Sequence, residues 1–245
     1  MRIIGIIPAR YGSTRFPGKP LAMIGGKTMI RRTWERAAQS SLDAVAVATD
    51  DQRIFDEVLG FGGQAVMTRA DHRSGTDRCC EALDKMGDYD AVVNIQGDEP
   101  FIDPGHINCV AELLRLPDVH IATLAKPITI AESLLSSHCV KVVFGKEGDA
   151  LYFSRSPLPY VRGASSSEWL QTTDFYQHIG IYGYRSETLR EVSELPIGRL
   201  EQAEKLEQLR WLENGYRIRV GVVPACDSIA IDTPDDLLNI PQELL

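Results

Sequence analysis

Several things are scarce in this sequence, and each scarcity removes a class of protein. The five cysteines, Cys79, Cys80, Cys109, Cys139 and Cys226, are odd in number and include no CxxC pair, which argues against a disulfide scaffold and against a zinc ribbon. Most sit inside apolar runs, so they read as reduced core residues of a cytoplasmic protein. No stretch approaches the roughly 18 apolar residues that a membrane span requires. The opening MRIIGIIPAR carries a short apolar run that stops at Pro8, too short and wrongly ended for a secretory signal. Basic residues are also few: 26 Lys and Arg against 34 Asp and Glu leave a net charge of −8. Such a surface is not built to coat nucleic acid or an anionic membrane, and any anionic substrate must be held by a local basic cluster.

What is present is ordinary for a folded protein: 245 residues, 44% hydrophobic and 24% charged, enough for one large domain with a real core. Near-continuous Val/Ile/Ala runs recur at Ile3–Ile7, Ala44–Ala48 and Ala91–Ile95, the pattern of strands covered on both faces. Segments of helical period lie between them, through Met29, Ile30, Trp34, Ala37 and then Ile54, Phe55, Val58. The alternation predicts an α/β fold with a mostly parallel central sheet flanked by helices, Rossmann-like in its layering. Ligands of such sheets bind beyond the carboxyl ends of the strands.

The second half changes character. Strands are expected at Val140–Phe144, Leu151–Ser154, Ile179–Tyr184 and Arg217–Val223, with a Pro-, Gly- and Ser-rich excursion over Ser156–Gln177 that reads as a hairpin or arm. One long amphipathic helix is expected over Leu200–Asn214, ended by Gly215. A last strand at Ile229–Ile231 should lead through Asp232-Thr233-Pro234 into a short helix. The chain shows no internal repeat, so 1–245 is read as a single domain with 156–177 as an arm within it.

The strongest chemical signal follows the first strand: Pro8-Ala9-Arg10-Tyr11-Gly12-Ser13-Thr14-Arg15-Phe16-Pro17-Gly18-Lys19-Pro20. Cations, glycines and hydroxyls crowded at a strand's carboxyl end suit a polyphosphate, because glycines let backbone N–H groups approach oxygens that Arg and Lys neutralise. The spacing is neither that of a Walker A loop nor of GxGxxG, and Lys19 is followed by Pro20 where a P-loop has Ser or Thr. Gly25-Gly26-Lys27-Thr28 reads as a turn and helix start. A second signal is Asn94-Ile95-Gln96-Gly97-Asp98-Glu99-Pro100, which places a carboxylate at the end of a buried strand, where it could hold Mg²⁺ or simply cap a helix. Asp232 repeats that arrangement.

The blocks PARYGSTRFPGKPL (8–21), NIQGDEP (94–100), ALYFS (150–154), HIGIYGYR (178–185), LEQLR (206–210) and DTPDDL (232–237) together resemble the 3-deoxy-D-manno-octulosonate (Kdo) cytidylyltransferases. The likeness is collinear from the first strand to the last helix, although 162–171 matches none of the family's blocks. It implies a nucleotide-diphosphosugar transferase fold, transfer of CMP from CTP to Kdo with one or two Mg²⁺, a role in lipopolysaccharide biosynthesis, and a homodimer built partly by the arm. It further implies that Arg10, Lys19 and Asp98 are catalytic. Ala9, Arg10, Gly12, Ser13, Arg15 and Lys19, with Arg73, Ser74 and Gly75, would bind the nucleotide. Gln96, His178, Tyr182, Glu207 and Gln208 would bind the sugar, and Asp98 and Asp232 the metal. A lone His on an apolar strand, such as His178, is equally readable as a satisfied core residue. The loop alone would also serve a cytidylyltransferase for a related acid, such as 8-amino-Kdo or a nonulosonic acid, or a non-catalytic nucleotide-binding protein on the same fold.

Overall fold

The computed structural model describes residues 1–12, 16–224 and 231–244. Its strands are β1 (Ile3–Ala9), β2 (Met23–Ile24), β3 (Lys27–Thr28), β4 (Ala44–Thr49), β5 (Gln64–Met67), β6 (Ala91–Asn94), β7 (Ile121–Pro127), β8 (Lys141–Phe144), β9 (Ala150–Ser154), β10 (Tyr176–Arg185) and β11 (Ile218–Val222). The helices are α1 (Met29–Ala37), α2 (Gln52–Gly60), α3 (Gly75–Met86), α4 (Pro104–Arg115), α5 (Ala131–Leu135), α6 (Trp169–Thr172), α7 (Ser186–Ser193), α8 (Arg199–Glu204) and α9 (Gln208–Glu213).

The main sheet runs β11-β7-β10-β6-β1-β4-β5, with the β8–β9 hairpin joined to β10. Neighbours pair in parallel except along β10, which runs antiparallel to both β6 and β7. The apolar strands explain the layering. On β1, Ile3 and Ile7 face one core while Ile4 and Ile6 face the other, so helices must cover both sides. From β1 the chain winds outward through β4 to β5, then returns to place β6 on the opposite side of β1. The strand order therefore reverses between β1 and β6, and a crevice opens at their carboxyl ends.

Two expectations need correction. The helix expected over 200–214 is two helices, α8 and α9, separated at Lys205, whose φ of 55° is left-handed. The break lets Arg210 fold back on Glu201 through two 2.7 Å hydrogen bonds. Residues nine apart on a straight helix would stand roughly 13 Å apart along its axis. The excursion over 156–177 is not a hairpin. It contains one short helix, α6, and its last two residues already belong to β10. Trp169 and Phe175 fold inward onto Ile128, Leu134 and Cys139 as a small separate core. The strand expected at 229–231 lies mostly outside the described residues, as does Cys226. Ile231 is buried, and its N–H donates to the Asp98 carbonyl at 3.0 Å.

The chain is tied down where the excursion begins. The fully buried Lys141 donates to the carbonyls of Ser136 (2.8 Å), Cys139 (2.6 Å) and Arg155 (2.6 Å). Glu204 accepts from the Ser154 hydroxyl at 2.6 Å and the Arg155 N–H at 2.9 Å. Cys79 and Cys139 are buried, Cys80 and Cys109 half-buried, and all four are free thiols. No helix among the described residues is long and apolar enough to cross a membrane.

Lys141→Met keeps the side chain's length but strands three carbonyls. Urea denaturation should show a loss of about 3 kcal/mol or more, the scale of several unsatisfied buried acceptors; an unchanged midpoint would refute this role.

Candidate active site

The crevice at the reversal point is a cleft of about 280 Å³. Its floor comes from the chain leaving β1 and β6. Gly97 is required there: a Cβ would stand 2.9 Å from the Pro8 carbonyl oxygen, so only glycine lets the Gln96-Gly97-Asp98 turn lie flat against the end of β1. Of the residues predicted from sequence, Ala9, Arg10 and Lys19 line this cleft from one side. Arg73, Ser74 and Gly75 line it from the turn before α3, and Gln96, Asp98 and Asp232 complete it.

A third chain segment arrives through a small apolar clasp. Ile231 packs with Ile24, Met29 and Ile240, with Phe16 and Leu237 against them. This clasp sets Asp232 beside Asp98. Lys19 joins the two: its Nζ lies 2.9 Å from Asp98 Oδ2 and 3.3 Å from Asp232 Oδ1. Neighbouring Glu99 is pushed up to about 7, first by burial and then by the charge of Asp98.

On the opposite wall, α3 begins with a capping box, in which the Ser74 hydroxyl accepts from Asp77 N–H at 3.1 Å and Asp77 accepts from Ser74 N–H at 3.3 Å. The positive end of this twelve-residue helix therefore faces the cleft, a favourable place for phosphate oxygens. The preceding turn is anchored by Glu81, which holds His72 and the Arg69 N–H. Burial opposes ionisation of Glu81, but its bonds from Lys85, Arg69 and His72 prevail and hold its carboxyl down at about 2.

Sequence reasoning misses Arg78 and His72, both of which line the cleft. Arg78 is buried, donating to Thr68 Oγ1 at 2.5 Å and pairing with Asp50 at 3.3 Å at the end of β4. Its signal is its position: it stands one turn into α3, on the face of the Ser74-Gly75 turn. Asn94 belongs to the NIQGDEP block, yet the resemblance gives it no role. Its Oδ1 and the Tyr182 hydroxyl are buried without a hydrogen-bond partner among the described residues, and the two residues face each other across β6 and β10.

Not every predicted residue reaches this cleft. Gly12 is exposed, with nothing within 4 Å of where a Cβ would stand, and Ser13 and Arg15 lie outside the described residues. His178, Tyr182 and Gln208 sit away from its wall. His178 Nε2 bonds Thr123 Oγ1 at 2.9 Å and its ring packs edge-on to Phe153. Burial pulls its pKa down to about 3, well below the usual imidazole value. Tyr182 stands between His178 and Trp211. Glu207 lines a second, larger cavity of about 1230 Å³ that shares His72, Arg73 and Ser74 with the cleft. It accepts from Thr76 Oγ1 at 2.9 Å, and burial raises its pKa. Gln208, next to it, is buried at the start of α9.

Comparison with known proteins agrees with this geometry. The cytidylyltransferase family model matches residues 4–218. The 3-deoxy-manno-octulosonate cytidylyltransferase of Bacteroides thetaiotaomicron is 55% identical over 100% of this chain and 98% of its own. That of Parabacteroides distasonis is 54% identical over 97% of this chain and 96% of its own. Among solved structures, a CMP:2-keto-3-deoxy-manno-octonic acid synthetase complexed with CTP superposes with a TM-score of 0.90 at 43% identity, covering 98% of this chain and 96% of that one. With the family model spanning residues 4–218 and relatives 54% and 55% identical over nearly their whole length, the chain belongs to the 3-deoxy-manno-octulosonate cytidylyltransferase family.

Proposed function

We propose that the protein transfers CMP from CTP to the anomeric hydroxyl of Kdo, giving CMP-Kdo and pyrophosphate, and so supplies the activated sugar for lipopolysaccharide assembly. The observation that carries this reading is the convergence of Arg10, Lys19 and the α3 N-terminus on one cleft with the Asp98–Asp232 pair. The anomeric hydroxyl gives up its proton to solvent as its oxygen attacks the α-phosphorus, the bond from that phosphorus to the bridging oxygen breaks, and pyrophosphate leaves with the electron pair. Such a transfer needs positioning and charge stabilisation more than covalent chemistry by the protein.

Arg10, exposed at the cleft mouth, and Lys19 neutralise phosphate oxygens, while the first N–H groups of α3 donate to them. The Ala9 backbone and the Arg73-Ser74-Gly75 turn flank the nucleoside. Hard oxygen donors from two separate segments already share one cation, Lys19 Nζ, which makes Asp98 and Asp232 a fitting pair for Mg²⁺. When bound, that ion lowers the pKa of the attacking hydroxyl and offsets charge on the phosphates. Gln96, with its amide nitrogen held on the Gly180 carbonyl at 3.2 Å, orients the sugar. The orphaned Asn94 Oδ1 and Tyr182 hydroxyl suit a polyol, and Glu207 and Gln208 close the side toward the second cavity. His178, whose ring packs against Tyr182, joins it as a polar group for the sugar. A homodimer is supported by Tyr160, Ile130 and Leu135, exposed apolar side chains around the excursion. Free thiols support a cytoplasmic setting.

Pyrophosphate release from CTP should depend on Kdo, exceed that with 8-amino-Kdo or a nonulosonic acid, and stop with EDTA; equal rates with another acid would reassign the substrate. Asp98→Asn should lower turnover about 10²–10³-fold, the scale of losing one preorganised electrostatic group, with unchanged circular dichroism. Sedimentation should show a dimer that Tyr160→Asp converts to monomer, and a monomeric parent protein would remove the proposed interface.

A further inference from the structure

Lys19 is placed by its backbone. Gly18 takes a left-handed φ of 71°, and its N–H donates to the Tyr11 carbonyl at 2.9 Å. A Cβ there would meet the Tyr11 ring at 3.0 Å, so the loop closes only around glycine. One turn of 3-10 helix follows over Lys19–Leu21 with Pro20 buried. From that fixed base the Lys19 side chain, 13% exposed, runs inward to the two carboxylates rather than outward to solvent.

An ammonium and a divalent ion compete for the same carboxylate lone pairs. While Lys19 sits between Asp98 and Asp232, the trio carries a net charge of about −1, and an incoming dication also meets a positive charge at close range. The phosphates of a nucleoside triphosphate offer the ammonium a more negative partner within the same cleft.

We propose that Lys19 serves as an internal cation for the Asp98–Asp232 pair, keeping divalent metal off it until nucleotide phosphates draw the ammonium away, so that metal enters together with the nucleotide. The exchange leaves no charge unpaired: Lys19 trades carboxylates for phosphate, and the metal takes the carboxylates. This rests on the reading of that pair as the metal site. It makes Lys19 a positioning residue for metal entry as well as a phosphate ligand.

The test is Mn²⁺ binding to the full-length, nucleotide-free protein, followed by loss of the electron paramagnetic resonance signal of free Mn²⁺. Lys19→Met should bind Mn²⁺ about tenfold or more tightly than the parent protein, the combined scale of two partly exposed ion pairs. Lys19→Arg, which keeps the cation, should stay as weak as the parent. Adding Asp98→Asn to Lys19→Met should abolish the gain. Lys19→Gln carries the same expectation if the Met variant fails to fold. Parent protein that binds Mn²⁺ as tightly as Lys19→Met, with the binding lost in Asp98→Asn, overturns the proposal and leaves the metal site standing. Absence of Asp98-dependent binding in every variant, with and without CTP, removes the metal site and the proposal with it.

Discussion

The site depends on one close contact, the Gln96-Gly97-Asp98 turn lying against the Pro8 carbonyl. Parallel pairing of β1 with β6 sends the chain beyond Asn94 alongside the last residues of β1, and Gly97 permits the backbones to meet at Pro8. The charged groups that follow β1 and β6 take their spacing from that contact. Arg10 follows one strand and Asp98 the other, and Ile231 docks on the Asp98 carbonyl to bring in Asp232. Displacing that turn by an ångström would separate the carboxylates from the phosphate-facing loop without unfolding anything, and positioned chemistry is sensitive to errors of this size.

Much of this is legible in the sequence because local composition and global position agree. The Val/Ile runs can be satisfied only under helices, and the basic loop begins where the first such run ends. The block around Asp98 marks the end of another buried strand, and Asp232 follows the buried Ile231. What is not legible depends on contacts between distant residues. The 200–214 segment has the apolar period of one helix, and nothing local announces that Arg210 will turn back onto Glu201. The excursion reads as a hairpin or arm because it is rich in Pro, Gly and Ser, and what that composition does not announce is that Trp169 and Phe175 pack onto Ile128, Leu134 and Cys139. Arg78 escapes notice because an Arg in a helix's first turn is usually a surface residue, and only the partner Asp50, from another strand end, makes it buried. His178 is bonded to Thr123 and packed edge-on to Phe153, while its neighbour Tyr182 keeps an unused hydroxyl.

Charge is distributed with similar economy. A protein of net charge −8 gathers Arg10, Lys19, Arg73 and Arg78 around one small cleft. Long-range attraction for polyanions is thereby weak, and only a ligand that fits among these cations meets them all. The acidic excess is not opposed to that purpose, since two of its carboxylates form the floor on which Lys19 rests.

The cage around Lys141 has a consequence for how this fold tolerates change. It secures the chain where it leaves β9, through the Arg155 carbonyl, while the Phe175 carbonyl is held by the Ile128 N–H where the chain returns. The segment between carries α6 and the inward-packed Trp169, and its two anchor bonds are made by residues outside it. Doubling the length of a flexible loop costs only about 0.6 kcal/mol of closure entropy, so the part of this stretch before Trp169 can lengthen or shorten while the cleft keeps its geometry. The fold thus carries a replaceable cassette beside a rigid reaction centre.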